Sequence, residues 1–445
     1  MRKILMVGAF ALSFSLMSSL LLTQANAWIP QWEATWGGES AEIGVDVAVA
    51  PDGSIYTVGY TFTFAQGAPY YCCDAFILKY DQTGNLLWQR TWGGWQNEMT
   101  RSVAIDPTGN YIYVVGTTES FGQGDHNAFI LKFDNTGNLI WDKTWGGPSV
   151  DSAAADVAVH QQGDIYVVGY TKTFEANHEA FILGFHPSGD LFLQQTWGGD
   201  GTDWATNLAI GIDGAIYVVG YTDSFIPGNF EDAFIVKFDE MGNIDGQWTW
   251  GGIGDEWAHG VAVAGGRIFA VGFTDSFGVG ERDAFIFALN PNGLLIWDRT
   301  WGGTQEERAF GAVAARNCIY LVGRTESFGA GASVNSFAAK FNPGGRLVSD
   351  IAWGKNGGVV AHDVAFDPTA SFLYIAGVTY APFPPNYLTP VEGDVTTPDC
   401  PLVPVSGNVI QTTAIPGTPN GIVAAPTGST TFAGVSDTAL IKMSD

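Results

Sequence analysis

Short runs of β-branched and aromatic residues, separated by polar turn sequences, follow one another along the whole chain. In residues 127–147, NAFILKFDNTGNLIWDKTWGG, two such runs flank the turn sequence Asn-Thr-Gly-Asn, which predicts a β-hairpin. A second pair of runs precedes each hairpin, as at 45–49 and 55–61 on either side of the Pro-Asp-Gly turn at 51–53. No helical periodicity competes with this pattern, so each unit is predicted to supply four short strands.

The unit repeats at a nearly constant spacing. The tryptophan of its Trp-Gly-Gly ending recurs every 51 to 56 residues, at Trp36, Trp92, Trp145, Trp197, Trp250, Trp301 and Trp353. Trp141 and Trp145 are four residues apart, and an even spacing places both rings on one face of a strand. A four-stranded unit with a large apolar face, repeated several times, predicts an all-β fold consisting of a single β-propeller with four-stranded blades.

Three motifs of the unit are Thr-Trp-Gly-Gly, Ile-Tyr-Val-Val-Gly-Tyr-Thr and Asp-Ala-Phe-Ile. In these motifs the chain resembles the SBBP-type β-propeller repeats of secreted bacterial and archaeal proteins, from residue 28 onward. The resemblance implies the propeller fold. It implies little about activity, because that family has no single known chemistry.

The two ends of the chain carry complementary parts of one unit. Residues 31–38 match the last strand of a unit, whereas 422–435 and 437–443 match its first three strands. We therefore expect the N-terminal strand to complete the last sheet and close the ring.

The number of blades depends on residues 380–420, where the repeat is weakest. Interpreting 399–405 and 409–415 as degenerate third and fourth strands gives eight blades, which is the favoured count because it keeps the residues per blade equal to the observed spacing. Pro401 and Pro404 would then lie at a sheet edge or a bulge. The alternative is seven blades, with 381–431 as one long loop, although structureless loops of that length are uncommon.

Residues 1–27 have the pattern of a signal peptide. Arg2 and Lys3 precede an apolar stretch at 4–22, and Ala-Asn-Ala at 25–27 forms a cleavage site. The alternative is a membrane anchor. We expect a secreted protein, extracellular or periplasmic, in which residues 28–445 form one propeller domain and the Pro-rich insertion at 381–398 is a surface loop.

The charge of the chain narrows the choice of partner. It has 19 Lys and Arg against 45 Asp and Glu, a net charge of −26, which would repel nucleic acid and anionic membrane surfaces. No second apolar span follows residue 27, so no membrane span is expected after signal cleavage. The expected partner is a protein or a glycan, and the oligomeric state is left open.

The loops differ in length between the two ends of each unit. The turns at one end are tight, whereas the loops after Trp-Gly-Gly and before Asp-Ala-Phe are longer, so the longer-loop face is the candidate functional face. Acidic residues recur there four positions after Trp-Gly-Gly, at Glu42, Glu98, Asp151, Asp203, Glu256 and Glu307. A second series begins the third strand, at Asp74, Asn127, Glu179, Asp232, Asp283, Asn335, Asp399 and Asp437.

These side chains are interpreted as acceptors that cap loop N–H groups, because a feature present in every blade most simply serves every blade. The alternative is a set of Ca²⁺ sites, since hard cations prefer oxygen ligands. No D-x-D-x-D-G loop is present.

Aromatic residues that depart from the repeat are candidates for ligand binding. They lie in the longer loops and the Pro-rich insertion, at Tyr70, Tyr71, Trp95, Trp204, Phe230, Trp257 and Tyr387. Exposed rings on one face suggest a stacking platform for a sugar or a protein-binding patch. For Trp204 and Trp257 the alternative is that the rings turn inward and pack at the strand entry.

Four cysteines are present, and export permits disulfide bonds. The candidates are Cys72, Cys73 and Cys400, joined either as a vicinal Cys72–Cys73 bridge or by a bond from one of these two to Cys400. Cys318 begins a second strand near the short-turn face, and we expect it to remain a lone thiol.

Eight blades and adjacent cysteines are similar to features of pyrroloquinoline quinone-dependent alcohol dehydrogenases. Their turn motif, Thr-Gly-x-x-x-Trp, has counterparts at 83–88 and 136–141. That resemblance would imply a Ca²⁺-bound quinone. Asp81 and Asp134 stand one residue closer to the threonine than in that family, the chain is shorter, and the family's cofactor ligands and catalytic aspartate cannot be placed on it.

Other catalytic patterns are absent from the sequence. No two of the six histidines have metal-ligand spacing, so all six are expected to be surface or loop residues. No G-x-S-x-G elbow, phosphate loop, C-x-x-C-H or sialidase-type S-x-D-x-G-x-T-W box occurs.

We therefore expect no catalytic residue and no cofactor, with Ca²⁺ as the alternative. The expected function is an exported, non-catalytic binding or surface-interaction module that uses its longer-loop face. The alternatives are a quinone-dependent oxidoreductase and a structural subunit of an extracellular assembly.

Overall fold

A computed structural model describes the chain from residue 28 to residue 444, with gaps at 66–71, 149, 174–176, 226–229, 330–333, 355–357, 370 and 380–436. The expected signal peptide at 1–27 and the Pro-rich insertion at 381–398 lie outside the described residues. Within this part of the chain, no helix is long and apolar enough to cross a membrane.

The described strands form seven antiparallel sheets of four strands each, which are the blades of a single all-β propeller. Blade 1 contains β2 (Glu42–Val49), β3 (Ile55–Thr61), β4 (Asp74–Tyr80) and β5 (Leu86–Trp92). Blade 2 contains β6 (Glu98–Ile105), β7 (Tyr111–Thr118), β8 (Asn127–Asp134) and β9 (Leu139–Trp145). Blade 3 contains β10 (Val150–Val159), β11 (Ile165–Thr173), β12 (His178–Phe185) and β13 (Leu191–Trp197).

The remaining blades follow the same plan, except that the last one also uses the first strand of the chain. Blade 4 contains β14 (Asp203–Ile210), β15 (Ile216–Thr222), β16 (Asp232–Phe238) and β17 (Ile244–Trp250). Blade 5 contains β18 (Glu256–Ala264), β19 (Arg267–Thr274), β20 (Asp283–Leu289) and β21 (Leu295–Trp301). Blade 6 contains β22 (Glu307–Ala315), β23 (Cys318–Thr325), β24 (Asn335–Phe341) and β25 (Leu347–Trp353). Blade 7 contains β26 (Val359–Phe366), β27 (Phe372–Thr379), β28 (Asp437–Ser444) and β1 (Ile29–Trp36).

The position of a strand within its blade follows from its apolar pattern. The second strand, as in β15 with the run Ile-Tyr-Val-Val-Gly-Tyr-Thr, is buried along its whole length because sheets pack on both of its faces. The fourth strand is the outer edge and is partly exposed, as in β5. The first strands line the central channel, where each contacts the first strand of the next blade and β26 contacts β2.

The second strand of each blade contains a glycine, and the reason for it is steric. At Gly220 a Cβ would lie 1.8 Å from the carbonyl oxygen of Trp204 on the first strand, which is closer than any side chain permits. The same close approach occurs in the other blades, so the Val-Gly motif of the repeat marks the point where the first and second strands press together.

Adjacent blades are joined by one recurring aromatic contact. The tryptophan that ends the fourth strand packs on a phenylalanine in the third strand of the next blade, with ring centroids 4.7 Å apart for Trp92 and Phe129. The same contact is made by Trp36 and Phe76, Trp145 and Phe181, Trp197 and Phe234, Trp250 and Phe285, and Trp301 and Phe337. Each of these rings therefore belongs to two blades at once.

The favoured count of eight blades is wrong, and the alternative of seven is what the described residues show. The eighth blade required 399–405 and 409–415 to complete the sheet that holds β26 and β27. Instead β27 pairs directly with β28, from Phe372 opposite Ser444 to Thr379 opposite Asp437. In turn β28 pairs with β1, so one sheet takes strands from both ends of the chain. The segments assigned to the extra strands lie outside the described residues.

The packing of tryptophan on phenylalanine between blades leads to a prediction about stability. Replacing Trp92, which is 2 % exposed and packs on Phe129, by alanine leaves a cavity between blades 1 and 2. We expect a loss of about 3–5 kcal/mol in the free energy of unfolding, measured by denaturant unfolding followed by circular dichroism. The control is Trp95→Ala, three residues away and 75 % exposed, for which we expect a change within about 0.5 kcal/mol. An equal loss of unfolding free energy in the two variants would contradict a stabilising role for the Trp92–Phe129 contact.

Candidate functional site

The recurring carboxylates of the longer-loop face tie loops to strands. Glu98 is fully buried and accepts hydrogen bonds from Gly94 N at 2.6 Å, from Thr118 Oγ1 at 2.7 Å and from Ser120 N at 3.0 Å. Burial raises the pKa of Glu98, while these donors oppose the shift. Glu42, Asp203, Glu256 and Glu307 accept from the equivalent glycine and threonine. Their role as acceptors for loop N–H groups is confirmed.

Asp151 does not belong to this series. Its blade is shifted by one residue, so Ser152 takes the buried place: Ser152 N donates to His126 O at 3.1 Å, and its hydroxyl lies 2.9 Å from Thr171 Oγ1. The Asp151 side chain is half-exposed beside His126. Among the described residues, no group of three or more His, Cys, Asp or Glu side chains is arranged to hold a metal ion. The Ca²⁺ hypothesis for these carboxylates stays a prediction.

Three of the buried acids have an acidic neighbour from the preceding blade. A Cβ on Gly251 would lie 2.1 Å from Asp232 Oδ1 and 2.7 Å from Glu256 Oε2, so both carboxyls close on the first glycine of Trp-Gly-Gly. Asp74 with Glu98, and Asp283 with Glu307, are arranged in the same way. Burial, together with the charge of Glu256, raises the pKa of Asp232 to about 7.

The two positions change together from blade to blade. Where the buried acid is replaced by Ser152, the third strand of the preceding blade begins with Asn127, and where it is replaced by Val359 that strand begins with Asn335. At the other interfaces both positions are acidic, including the position of Asp437 opposite Glu42. The two residues of each interface therefore act as a unit.

The exposed aromatic candidates occupy two parts of the longer-loop face. Trp95 is 75 % exposed and Phe230 is 48 % exposed. Phe230 lies near Ile253, because the neighbouring Glu231 N donates to Asp255 Oδ1 at 3.1 Å. Tyr70, Tyr71 and Tyr387 lie outside the described residues.

Trp204 and Trp257 turn inward, and the structure brings them together through Tyr221. Tyr221 stacks on Trp257 with centroids 4.3 Å apart and on Trp204 at 5.7 Å. Trp204 also stacks on Tyr170 at 3.8 Å, and its buried indole N–H has no hydrogen-bond partner among the described residues. The indole N–H of Trp257 donates to Glu231 Oε2 at 2.7 Å. We name this row of rings the aromatic arc: Tyr170, Trp204, Tyr221 and Trp257.

Two residues past each arc tryptophan, a β-bulge points one side chain into the central channel. The first strand of every blade has such a bulge, as between Ala258 and Gly260, and residues two apart on a strand share a face. We call the seven extra residues the bulge ring: Val45, Arg101, Ala155, Thr206, His259, Phe310 and His362. They line a cavity of about 330 Å³.

The residues that follow the bulges form a polar belt around the channel. Asp46 Oδ2 accepts from Val103 N at 2.6 Å, and Asn207 Oδ1 accepts from Val261 N at 3.0 Å, in each case from the next blade. Asp156 accepts from Ser102 Oγ at 2.5 Å and from Leu208 N at 2.8 Å. At the seam between blades 7 and 1, the carboxyls of Asp363 and Asp46 are hydrogen-bonded to each other.

A shared hydrogen bond between two carboxyls requires a proton. Burial and the charge of Asp46 raise the pKa of Asp363 well above its ordinary value, so Asp363 holds that proton. The belt thus joins the inner strands through side chain–backbone bonds and the Ser102–Asp156 bond, and at the seam through a bond between two carboxyls.

Three rings of the channel form a wall. Phe310 lies between two imidazoles, with centroids 5.5 Å from His259 and 5.6 Å from His362. Burial, with a smaller contribution from nearby arginines, lowers the pKa of both histidines to about 4. The expectation that all six histidines are surface or loop residues is wrong for these two, because the bulges turn them into the channel.

Three arginines lie beside the wall at the mouth of the channel. Arg308 and Arg324 are opposite each other on β22 and β23 and share Glu306, with Arg308 Nη2 3.0 Å from its carboxylate. Burial alone would raise the pKa of Glu306, but these two arginines lower it overall. Arg282 covers the ring of Phe273 at 4.2 Å. The arginine charges are therefore largely balanced at this point.

The cysteines differ from the sequence expectations. Cys72 and Cys73 are buried and neither forms a disulfide bond, so the vicinal bridge is absent, and Cys73 N donates to Asn97 Oδ1 instead. Burial raises the pKa of the Cys73 thiol. Cys318 is disulfide-bonded, which corrects its assignment as a lone thiol. Cys400 lies outside the described residues.

The bulge ring is the feature that the sequence reasoning missed. Its members stand three residues after the recurring acid, as His259 follows Glu256, or after the residue that replaces the acid, as Ala155 follows Ser152. Variation at one position of an otherwise regular repeat was the available signal.

Asp156 provides a test of the belt through pH. Burial, with the charge of Asp46, raises its pKa from 3.8 to about 7, so the folded protein holds a proton that the unfolded chain releases. That stabilisation is complete below pH 3.8 and is lost as pH rises through about 7. In this pH window the free energy of unfolding should fall with pH less steeply in Asp156→Asn than in the natural protein, by up to about 1.4 kcal/mol per pH unit. The measurement is chemical unfolding across the pH range, with exposed Asp200→Asn as control, and an unchanged slope would contradict the assignment.

Comparisons with known proteins support the fold. No protein-family model matches the chain. A stretch of 154 residues is 26 % identical to the regulatory protein FlaEY of Caulobacter vibrioides; the match covers 29 % of this chain and only 16 % of that protein. The WD40 domain of Pan2 from Neurospora crassa superimposes with a TM-score of 0.50 at 10 % identity, covering 79 % of this chain and 92 % of that domain. The β-propeller domain of the Trilobed protease from Pyrococcus furiosus has a TM-score of 0.44 at 11 % identity, over 76 % and 91 % of the two chains. The likeness to the Pan2 domain is one of fold alone.

Proposed function

We propose that this protein is an exported, SBBP-type propeller that acts as a non-catalytic interaction module and binds a partner protein through its longer-loop face. The N-terminal strand β1 closes the ring, because it is the fourth strand of blade 7. The propeller supplies a rigid frame, and the loops that depart from the repeat supply the contact surface.

An apolar patch at blades 4 and 5 carries this proposal. Phe230, Ile253, Phe277 and Val279 are all exposed, with Ile253 at 85 % and Val279 at 80 %. The loops that carry them touch one another: a Cβ on Gly252 would lie 3.0 Å from the ring of Phe277, and Gly254 lies against Asp275. Grouped exposed apolar residues on one face are typical of a protein-binding surface.

Part of the patch departs from the repeat. Phe277 does not, because it packs on Trp250 as the equivalent Phe121 packs on Trp92. Other exposed apolar residues, such as Leu87 and Ile140, occupy the same outer-strand position in successive blades and belong to the general plan of the unit. Ile253 replaces Glu39, Pro148, Asp200 or Thr304 of other blades, which are unrelated to it in chemistry, while blade 2 has the exposed Trp95 at this position. Asp255, Asp275 and Glu231 surround the patch, so the partner is expected to present an apolar centre with a basic rim.

The contact surface can be tested by site-specific photo-crosslinking in the native source. A photo-reactive amino acid at Ile253 should give a discrete cross-linked product. The same residue at Ile212, which is 92 % exposed in a turn on the short-turn face, should give none. Cross-linking that is equal at both sites, or absent at Ile253, would overturn the assignment of the face.

Export has its own test, because it rests on residues 1–27. N-terminal sequencing of the protein recovered from the native source should begin at Trp28, after Ala-Asn-Ala. A mature chain that retains Arg2 and Lys3 would contradict signal cleavage and would favour the membrane anchor.

A glycan is the second candidate ligand, and the aromatic arc favours it. The half-buried rings of Tyr170, Trp204 and Trp257 lie at the mouth of a polar channel, and aromatic faces beside hydrogen-bonding groups suit a sugar.

A further inference from the structure

The bulge ring varies in a way that folding does not require. All seven members occupy the same extra position of the first strand, so their backbone role is the same. Their side chains nevertheless include a guanidinium, a hydroxyl, two imidazoles and a phenyl ring, at Arg101, Thr206, His259, His362 and Phe310. A position that is structurally equivalent but differs in chemistry among the blades is a candidate for ligand recognition.

Arg101 has no partner for its charge. Its guanidinium makes no hydrogen bond or ion pair to any residue that the structure describes, although the chain has 45 acidic residues. It is exposed within the channel, and its charge contributes to the lowered pKa of His362 in blade 7. By contrast, Arg282, Arg308 and Arg324 at the mouth all contact carboxylates. An unpaired guanidinium facing a cavity is suited to a planar anion, which it can hold with two parallel hydrogen bonds.

The wall of the channel offers a flat apolar face between two polar groups. The imidazoles of His259 and His362 make no hydrogen bond to the described residues, and both are neutral near pH 7 because burial lowers their pKa to about 4. A neutral imidazole presents one donor and one acceptor, which matches a hydroxyl group. Between them, Phe310 presents a ring against which the C–H face of a sugar can stack.

Size and charge limit what can enter. The cavity of about 330 Å³ is at the lower end of the range for ligand pockets, and small side chains at Val45 and Ala155 leave space facing the wall. In the belt beneath, Asp363 holds a proton, whereas the charge of Asp46 would repel a ligand with several negative charges. One anionic group, matched to Arg101, is what the channel accommodates.

We propose that the central channel binds a sugar that carries one carboxylate, with the carboxylate on Arg101, the ring against Phe310 and hydroxyl groups on His259 and His362. The inference rests on the proposed binding role of the longer-loop face, to which the channel opens, and it names a ligand class for that face. The aromatic arc lies where further sugar units of a chain would leave the channel.

The test compares galacturonate with galactose, which has the same ring without the carboxylate. Isothermal titration calorimetry on the full-length protein should show binding of galacturonate and much weaker binding of galactose. Arg101→Gln should reduce the affinity for galacturonate by about tenfold or more and leave that for galactose unchanged, because one charge-assisted bidentate contact is lost. The control Arg346→Gln removes the same charge from an exposed turn on the short-turn face and should change neither affinity.

Several outcomes would overturn the proposal. These are no binding of galacturonate to the natural protein, equal affinity for both sugars, or undiminished binding by Arg101→Gln. If Arg101→Gln does not fold, Arg101→Lys keeps the charge without the planar fork, and its affinity for galacturonate should fall while its circular dichroism is unchanged. The cross-link at Ile253 reports on the face independently, so its loss and the loss of sugar binding are distinguishable results.

Discussion

The packing of a tryptophan on a phenylalanine of the next blade joins the blades at six of the seven junctions. A four-stranded sheet of this sequence cannot bury its apolar face alone, and the Trp-Gly-Gly ending places a ring where only a neighbouring blade can cover it. The two glycines have no side chains because carboxyls and a serine occupy that space, as Gly251 and Gly252 show. The motif therefore sets both the spacing between blades and the course of the loop that follows it.

Inside this ring, the bulge of the first strand decides what the channel contains. The extra residue breaks the strand alternation, so one side chain points to the axis while the next reaches the neighbouring blade. Asp46, Asp156 and Asn207 of the belt directly follow the bulge residues, and their side chains bond to the neighbouring blade. Of the bulge residues themselves, Thr206 also joins two blades, because its hydroxyl donates to Ala258 O at 2.7 Å. The chemistry at the bulge position varies among the blades.

Much of this architecture can be predicted from the sequence, because strand runs, turns and the Trp-Gly-Gly spacing are all local patterns. The blade count could not, since it depended on whether β27 pairs with 399–405 or with 437–444, and strand pairing at long range leaves no local pattern. Asp151 was misplaced because a one-residue shift in its blade moves Ser152 into register. The sequence does not predict that His259 and His362 enter the channel, because a bulge, unlike a turn, has no distinctive composition.

The acid pairs between blades bear on how such a ring can be rebuilt. Asp232 belongs to blade 4 and its neighbour Glu256 to blade 5, and an asparagine stands in the first position wherever the second is not acidic. Each blade carries one residue of the pair that it shares with the blade before it and one residue of the pair that it shares with the blade after it. Moving a single blade into another ring would separate both residues from their partners. The unit that keeps both residues of a pair together runs from the third strand of one blade to the second strand of the next blade. Recombination between the second and third strands of a blade therefore preserves these pairs, whereas recombination between blades separates them.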